Sequence, residues 1–172
     1  MRCHTLLSFA GLVLFAITQA VQGQTKPDDG MELAVRNVRA VPQVYVALQL
    51  RASTPLFVPY CAEFEGGDKV LCTMATHLEV HTAQGWHRAK LRTTFAVLGG
   101  LSLDRAKGDL VPAGTTATFS YQFSRRYFEV EPGQQLRVVV EAWPDGQSMK
   151  TGGKSIEIVS TPFKCPPTGT GE

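Results

Sequence analysis

The fold is decided by the stretch Pro132-Gly133-Gln134-Gln135-Leu136-Arg137-Val138-Val139-Val140-Glu141-Ala142-Trp143, which is followed by Pro144-Asp145-Gly146. Turn residues at both ends enclose a β-branched run, and this pattern is typical of a single strand. Successive side chains of a strand point to opposite faces. One face therefore carries Leu136, Val138, Val140 and Ala142, and the other carries Arg137, Val139, Glu141 and Trp143. Because both faces are partly apolar, the stretch is predicted to be a central strand.

Outward from this strand, short stretches with strand character recur along most of the chain. They cover residues 31–38, 44–52, 56–61, 77–82, a hairpin strand after Gly85, and residues 115–123, 136–143 and 154–160. The segment 63–70 is predicted to be a loop, and 95–110 a long connection that could include a short strand. No amphipathic helix is predicted after residue 23. About eight strands without helices predict an all-β, two-layer sandwich.

Two of these strands have a clear inner face. Apolar residues alternate strictly in the second one, at Val44, Val46, Leu48 and Leu50. An aromatic inner face is predicted for the strand at 115–123, which carries Ala117, Phe119, Tyr121 and Phe123. This period of two is the expected pattern of a strand with one face in the core.

The two strands around Gln84-Gly85 are predicted to form a hairpin. If Gln84-Gly85 is a two-residue turn, Val80 faces Ala89 and Leu78 faces Leu91, so the apolar residues of both strands lie on one side. A three-residue loop would place a charged residue beside the apolar face. We therefore expect the shorter loop.

The segment Tyr127-Phe128-Glu129-Val130-Glu131-Pro132-Gly133, together with the strand that follows it, resembles the corner between strands E and F of fibronectin type III and other immunoglobulin-like domains. The resemblance covers about 30 residues. Leu136 stands where such domains often have a corner tyrosine, and the Cys-Trp-Cys spacing of antibody domains is missing. The resemblance implies an immunoglobulin-like β-sandwich of about seven or eight strands.

The N-terminal residues 1–23 are predicted to be a signal peptide. Arg2 precedes the apolar run Leu6 to Ile17, and small residues follow, so cleavage is expected after Ala20 or Gly23. The run has about 12 residues, whereas a membrane-spanning helix needs about 20. A retained signal anchor is the alternative. The chain is therefore expected to be exported, to the periplasm or the extracellular space.

The remaining chain is predicted to be a single domain with two short flexible ends. Residues 24–30 are polar and rich in turn formers, and residues 162–172 contain the run Cys165-Pro166-Pro167. Both segments are expected to be flexible, because little in them could be buried. The β-sandwich domain is therefore predicted to cover residues 31–161.

The composition and charge exclude several classes of partner. The 172 residues include 44% hydrophobic and 19% charged residues, as in ordinary globular proteins. Removing the leader removes Arg2 and no acid, so the formal charge falls from +2 to +1, with 16 Lys+Arg left of 17 against 15 Asp+Glu. Such a balance creates no broad positive field. We therefore expect neither nucleic acid nor a membrane surface as partner of the mature chain.

Export permits disulfide bonds, and the mature chain contains Cys61, Cys72 and Cys165. Cys61 and Cys72 flank a glycine-rich loop between two predicted strands, which favours a local disulfide. The alternative pairs Cys165 with one of them and ties the C-terminal segment to the sandwich. In either pairing one cysteine is left over, either free or able to link two chains.

The sequence contains no convincing metal site. Imidazole is a common ligand of zinc and copper, so His77, His81 and His87 are the candidate ligands. Residues four apart on a strand share a face but lie about 13 Å apart, which is too far for one ion. The predicted hairpin register also places His87 on the opposite face. We expect solvated histidines and no bound metal.

Motifs for catalysis and cofactor binding are also missing. Gly100-Leu101-Ser102-Leu103-Asp104 lacks the second glycine of a nucleophile elbow. The sequence has no phosphate-binding Gly-Lys-Ser/Thr loop and no dinucleotide fingerprint, and its cysteines are too far apart for a Cys-x-x-Cys pair. These observations disfavour an enzyme, and no cofactor is expected.

The candidate binding surface consists of Trp86, Arg88 and Lys90, which the alternation places on one outward face. Tryptophan and arginine are enriched at the centres of protein interfaces. Trp143 is also predicted to point outward. The alternative interpretation of the basic residues is a solvated face that discourages edge pairing.

These observations predict an exported, non-catalytic module for protein binding or assembly. A small secreted hydrolase or carbohydrate-active domain, with its site in the loops, is the alternative from another class. Turnover of an ester, peptide or glycoside that one substitution abolishes would favour that alternative.

Overall fold

The computed structural model describes residues 30–41, 43–64, 66–92, 103 and 106–167. The predicted signal peptide at 1–23 lies outside the described residues. Nearly all of the predicted N-terminal segment and much of the connection at 95–110 also lie outside them.

Eleven strands and one short helix occur in this part of the chain. They are β1 (Glu32–Val41), β2 (Gln43–Arg51), β3 (Leu56–Glu63), β4 (Lys69–Leu71), β5 (Thr76–Thr82), β6 (Gly85–Arg88), β7 (Lys107–Val111), β8 (Thr116–Phe123), β9 (Gln135–Ala142), α1 (Gly146–Lys150), β10 (Ile156–Val159) and β11 (Phe163–Lys164).

The strands form two sheets that pack face to face. The six-stranded sheet has the order β1-β2-β8-β4-β3-β7, and the five-stranded sheet has the order β10-β9-β5-β6 with β11 also paired to β9. This arrangement confirms the predicted all-β, two-layer sandwich. The strand number exceeds the expected seven or eight by β4, β7 and β11. β7 is the short strand that the connection at 95–110 was expected to allow, whereas β4 and β11 have only three and two residues. Strands of that length are too short for alternation to reveal.

β9 is an interior strand of the five-stranded sheet, as predicted. It pairs with β10 on one side and with β5 on the other. Its inner residues Val138 and Val140 are 0% and 2% exposed and belong to the main core. The aromatic side chains of β8 in the opposite sheet belong to the same core. Tyr121 is one of them, and its burial raises the pKa of its hydroxyl to about 12.

The hairpin between β5 and β6 differs from the prediction by two residues. Val80 faces His87, and Thr82 faces Gly85, so the turn residues are Ala83 and Gln84. The hydroxyl of Thr82 accepts a hydrogen bond from the Gln84 amide at 3.1 Å, which starts the turn at Thr82. Gly85 has φ +106°, a backbone conformation that residues with a side chain rarely adopt. It is the first residue of the returning strand β6. A shift of two residues leaves every side chain on its predicted face.

Trp143 is buried, contrary to the prediction that it points outward. Helix α1, which the sequence did not predict, covers it, and Trp143 is 4% exposed beside Met149. The indole Nε1 donates to the Gly153 carbonyl at 3.1 Å. Asp145 caps α1 by accepting from the Ser148 amide at 2.7 Å, and this hydrogen bond lowers the pKa of Asp145. A helix of five residues has no readable period, which is why the sequence pattern missed it.

The predicted flexible tail is wrong for residues 162–167. Phe163 is buried, and β11 pairs with β9 through Phe163–Leu136 and Lys164–Gln135. The Cys165 amide donates to the Gln134 carbonyl at 2.8 Å, which extends this pairing by one residue. The burial of one aromatic side chain and the ladder hydrogen bonds hold the segment in place. The final residues 168–172 lie outside the described part of the chain.

Candidate functional site

Trp86 lies on the outer face of the five-stranded sheet, and it is half-buried rather than fully exposed. Its ring centroid is 4.4 Å from the guanidinium carbon of Arg137 on β9. The ring of His81, its cross-strand partner on β5, lies 4.9 Å away at an angle of 56°. A cation over an aromatic face stabilises the pair by about 0.5–1 kcal/mol at partly exposed sites. The indole therefore packs against side chains of both β9 and β5.

Arg137 is itself fixed by Glu79. Its Nε donates to the Glu79 carboxylate at 2.6 Å, and the two residues face each other across β9 and β5. Both side chains are half-buried, so water screens this ion pair less than a surface pair. His77 Nε2 lies 3.7 Å from the same carboxylate. Trp86 thus belongs to a network that spans three strands.

Arg88 and Lys90 are exposed at the edge of this sheet. Arg88 is the last residue of β6, and Lys90 follows in the segment that continues from it. The Lys90 carbonyl accepts from the Glu129 amide at 2.8 Å, which fixes the backbone at this point. The structure therefore brings the predicted residues Trp86, Arg88 and Lys90 to one edge of the sandwich.

The sequence pattern did not predict the ion pair between Arg137 and Glu79 that contacts Trp86, because these two residues are 58 residues apart in the chain. Alternation does place both on outward faces. Which carboxylate faces which guanidinium depends on the register of β5 against β9, and no local signal gives that register.

A second polar face on the six-stranded sheet was also missed. The Tyr45 hydroxyl donates to Asp68 at 2.8 Å, and the guanidinium carbon of Arg39 lies 5.0 Å from the Tyr45 ring. Partial burial, together with the nearby Asp68 carboxylate, raises the pKa of Tyr45. These contacts link β2 to the loop before β4, which is a structural role.

Cys61 and Cys72 form the predicted disulfide bond. Their Cα atoms are 4.9 Å apart, within the range of about 4.4–6.8 Å for disulfides. The crosslink closes the loop that carries β4. Part of the predicted loop at 63–70 is therefore strand, since β4 pairs with β3 and runs parallel to β8.

Cys165 is a free thiol in the folded chain and is 1% exposed. Burial raises the pKa of this thiol, and the opposing influence of Arg125 is smaller. A link from Cys165 to another chain would require the C-terminal segment to leave the core. Cys165, the cysteine left over by the Cys61–Cys72 pairing, is therefore a residue of the protein interior.

The described residues offer no group of three or more His, Cys, Asp and Glu side chains that could hold a metal ion. His81 lies on the outer face with Trp86, whereas His87 faces Val80 and so points to the other side of β6. His77 is engaged with Glu79. These three histidines are spread over two faces.

Comparison with family models and with curated proteins found no match to this chain. Where the structure describes the chain, it has no helix with the length and apolar character needed to cross a membrane.

Proposed function

We propose that the protein is an exported, non-catalytic module that binds another protein through the surface formed by Trp86, Arg88 and Lys90. The observation that carries this proposal is the packing of the indole: the Trp86 ring centroid lies 4.4 Å from the Arg137 guanidinium carbon, while part of the side chain remains accessible. A rigid aromatic group loses little conformational entropy on binding, and aromatic residues with arginine dominate interface energetics.

The charge around the surface favours an acidic partner. Arg137 is neutralised by Glu79, and Arg92 by Glu131 at 3.0 Å. Arg88 and Lys90 have no ion pair within the described part of the chain, so their charges remain available. Cations at the rim of an interface mainly accelerate association and select partners of opposite charge.

Export is supported by two independent features. The leader at 1–23 has the pattern of a signal peptide, and the Cys61–Cys72 disulfide is of the kind that persists in oxidising compartments. The proposed module therefore acts in the periplasm or the extracellular space.

The test is co-purification from the native exported fraction, with the chain from residue 24 onward as bait. We expect Arg88→Gln/Lys90→Gln to reduce the captured partner by about tenfold at low salt. Arg51→Gln/Lys154→Gln is the matched control, since it removes two exposed charges elsewhere on the protein. Added salt should weaken capture by the wild type more than capture by the Arg88/Lys90 variant.

Equal capture by both double variants would overturn the proposed surface. Hydrolysis of an ester, peptide or glycoside substrate that a single substitution abolishes would overturn the non-catalytic assignment.

A further inference from the structure

Among the described residues, the main chain of β6 has a hydrogen-bonding partner on one side only. β6 is the last strand of its sheet, and the Ala89 amide donates to the Leu78 carbonyl of β5 at 2.8 Å. In an antiparallel ladder, hydrogen-bonded and non-hydrogen-bonded pairs alternate. Trp86 and Arg88 are therefore the non-hydrogen-bonded positions, and their amides and carbonyls point away from β5. No described residue outside β6 bonds to them.

The same edge already accepts a strand immediately beyond β6. The Glu129 amide donates to the Lys90 carbonyl at 2.8 Å, and the Arg92 amide donates to the Tyr127 carbonyl at 2.8 Å. Leu91 and Phe128 face each other between these two bonds in an antiparallel bridge. The backbone of this edge thus has the direction and spacing that strand pairing needs.

The pairing ends before it reaches β6, because the chain turns away. After Glu131, the Gly133 amide donates to the Cys165 carbonyl at 2.8 Å, which draws the chain toward β11. The positions in line with Arg88 and Trp86 are therefore not filled by the segment 127–129.

We propose that an extended, acidic segment of the partner protein adds to β6 as a further strand and bonds to the main chain of Trp86 and Arg88. This inference rests on the proposed function, since it names the binding mode of the same surface. Main-chain hydrogen bonds to a sheet edge supply affinity, and the flanking side chains supply specificity.

The positive charge at this edge determines which kind of strand can pair with β6. Arg88 and Lys90 lie beside the open positions, and both are exposed. Pairing with a second copy would bring two pairs of these cations to one edge, and like charges across strands destabilise the pairing. Acidic side chains on the added strand would instead form cross-strand ion pairs with them. An acidic segment is therefore favoured over a second copy.

The experiment measures amide hydrogen exchange by NMR on the ¹⁵N-labelled protein, from residue 24 onward. The probe is a short peptide of alternating Glu and Val. Its controls are a Lys-Val peptide and a Glu-Val peptide methylated at every backbone nitrogen, which keeps the charge but removes all main-chain donors. At saturation we expect exchange at Trp86 and Arg88 to slow by about tenfold with the first peptide only.

Unchanged exchange at Trp86 and Arg88 would overturn the proposal, and so would equal binding of the methylated peptide, which would indicate charge capture alone. Without peptide, sedimentation would show whether the protein dimerises as its concentration rises. Protection of the Trp86 and Arg88 amides by such a dimer would also overturn the proposal. Hydrogen exchange with the captured partner bound distinguishes failure of strand addition from failure of the proposed binding surface. If capture depends on Arg88 and Lys90 but leaves both amides unprotected, strand addition fails while the binding surface stands.

Discussion

The ring of Phe57 rests against two glycines, and Gly108→Ala tests this contact at the corner where the sheets meet. A Cβ atom on Gly108 would lie 1.9 Å from Cζ and 2.1 Å from Cε1 of Phe57. Gly108 is not among the glycines with positive φ, so alanine fits its backbone conformation. Any loss of stability must therefore come from the clash with the ring.

The ring has little room to retreat. On its other side a Cβ built on Gly146 would lie 3.0 Å from Cε2 of Phe57, so the ring occupies the space between two backbones. Its own backbone is held by two bonds to Trp143, of 2.7 and 3.0 Å. Overpacking of a filled site typically costs about 1–3 kcal/mol. We expect Gly108→Ala to lower the free energy of unfolding by about 2 kcal/mol, near the middle of that range.

Urea denaturation followed by circular dichroism would measure this cost in a double-mutant cycle with Phe57→Ala. Without the ring, Gly108→Ala should be neutral or should stabilise by about 0.5–1 kcal/mol, since alanine restricts the unfolded chain. The expected coupling is therefore about 2–3 kcal/mol, as for residues in direct contact. If Gly108→Ala costs the same with and without the ring, the packing of this corner is not as described.

Three further predictions concern the core and the cysteines. Val138 is fully buried, so Val138→Ala should lower the free energy of unfolding by about 1–3 kcal/mol, and an unchanged urea midpoint at equal m-value would contradict the position of β9. Replacing Cys61 and Cys72 by Ser removes a crosslink with sequence separation 11 and should cost about 3 kcal/mol, and an unchanged midpoint would show that the bond constrains little. Because burial raises its pKa, the Cys165 thiol should react with an aromatic disulfide reagent only after denaturation, and rapid reaction of the native chain would contradict its burial.

The sequence pattern predicted the strands that have one face in the core. Val46 and Leu48 on β2, and Phe119 and Tyr121 on β8, are all buried, and on β2 the residues between the buried positions are more exposed. The period of two is visible there because each strand is long enough to show several inward and outward positions. β9 was identified for a further reason, since turns at both ends enclose its apolar run.

The elements that were missed depend on contacts between distant parts of the chain. Phe163 is a single apolar residue in a proline-rich segment, and only its pairing with Leu136 makes that segment a strand. Alternation predicted an outward position for Trp143, which is wrong because the side chain is only 4% exposed. Alternation cannot show that α1 folds back over this face and buries the indole against Met149. The first error reflects a pairing between distant parts of the chain, and the second arises because the exposure of Trp143 was inferred from the face of a strand without knowing what covers it.

The candidate surface combines the Trp86 side chain, which already contacts Arg137, with main-chain groups of β6 that no described residue outside β6 bonds. The indole of Trp86 supports the network of Arg137 and Glu79, so Trp86→Ala would disturb that network as well as any bound partner. A loss of binding in Trp86→Ala would therefore have two explanations. Arg88 and Lys90 are exposed and have no ion pair among the described residues, so replacing them by Gln changes charge with little effect on folding. Evidence for binding must therefore come from replacing these two cations and from hydrogen exchange at the amides of β6. An unchanged environment of the Trp86 ring in the Arg88/Lys90 variant is the control that shows that this face of the sheet has stayed intact.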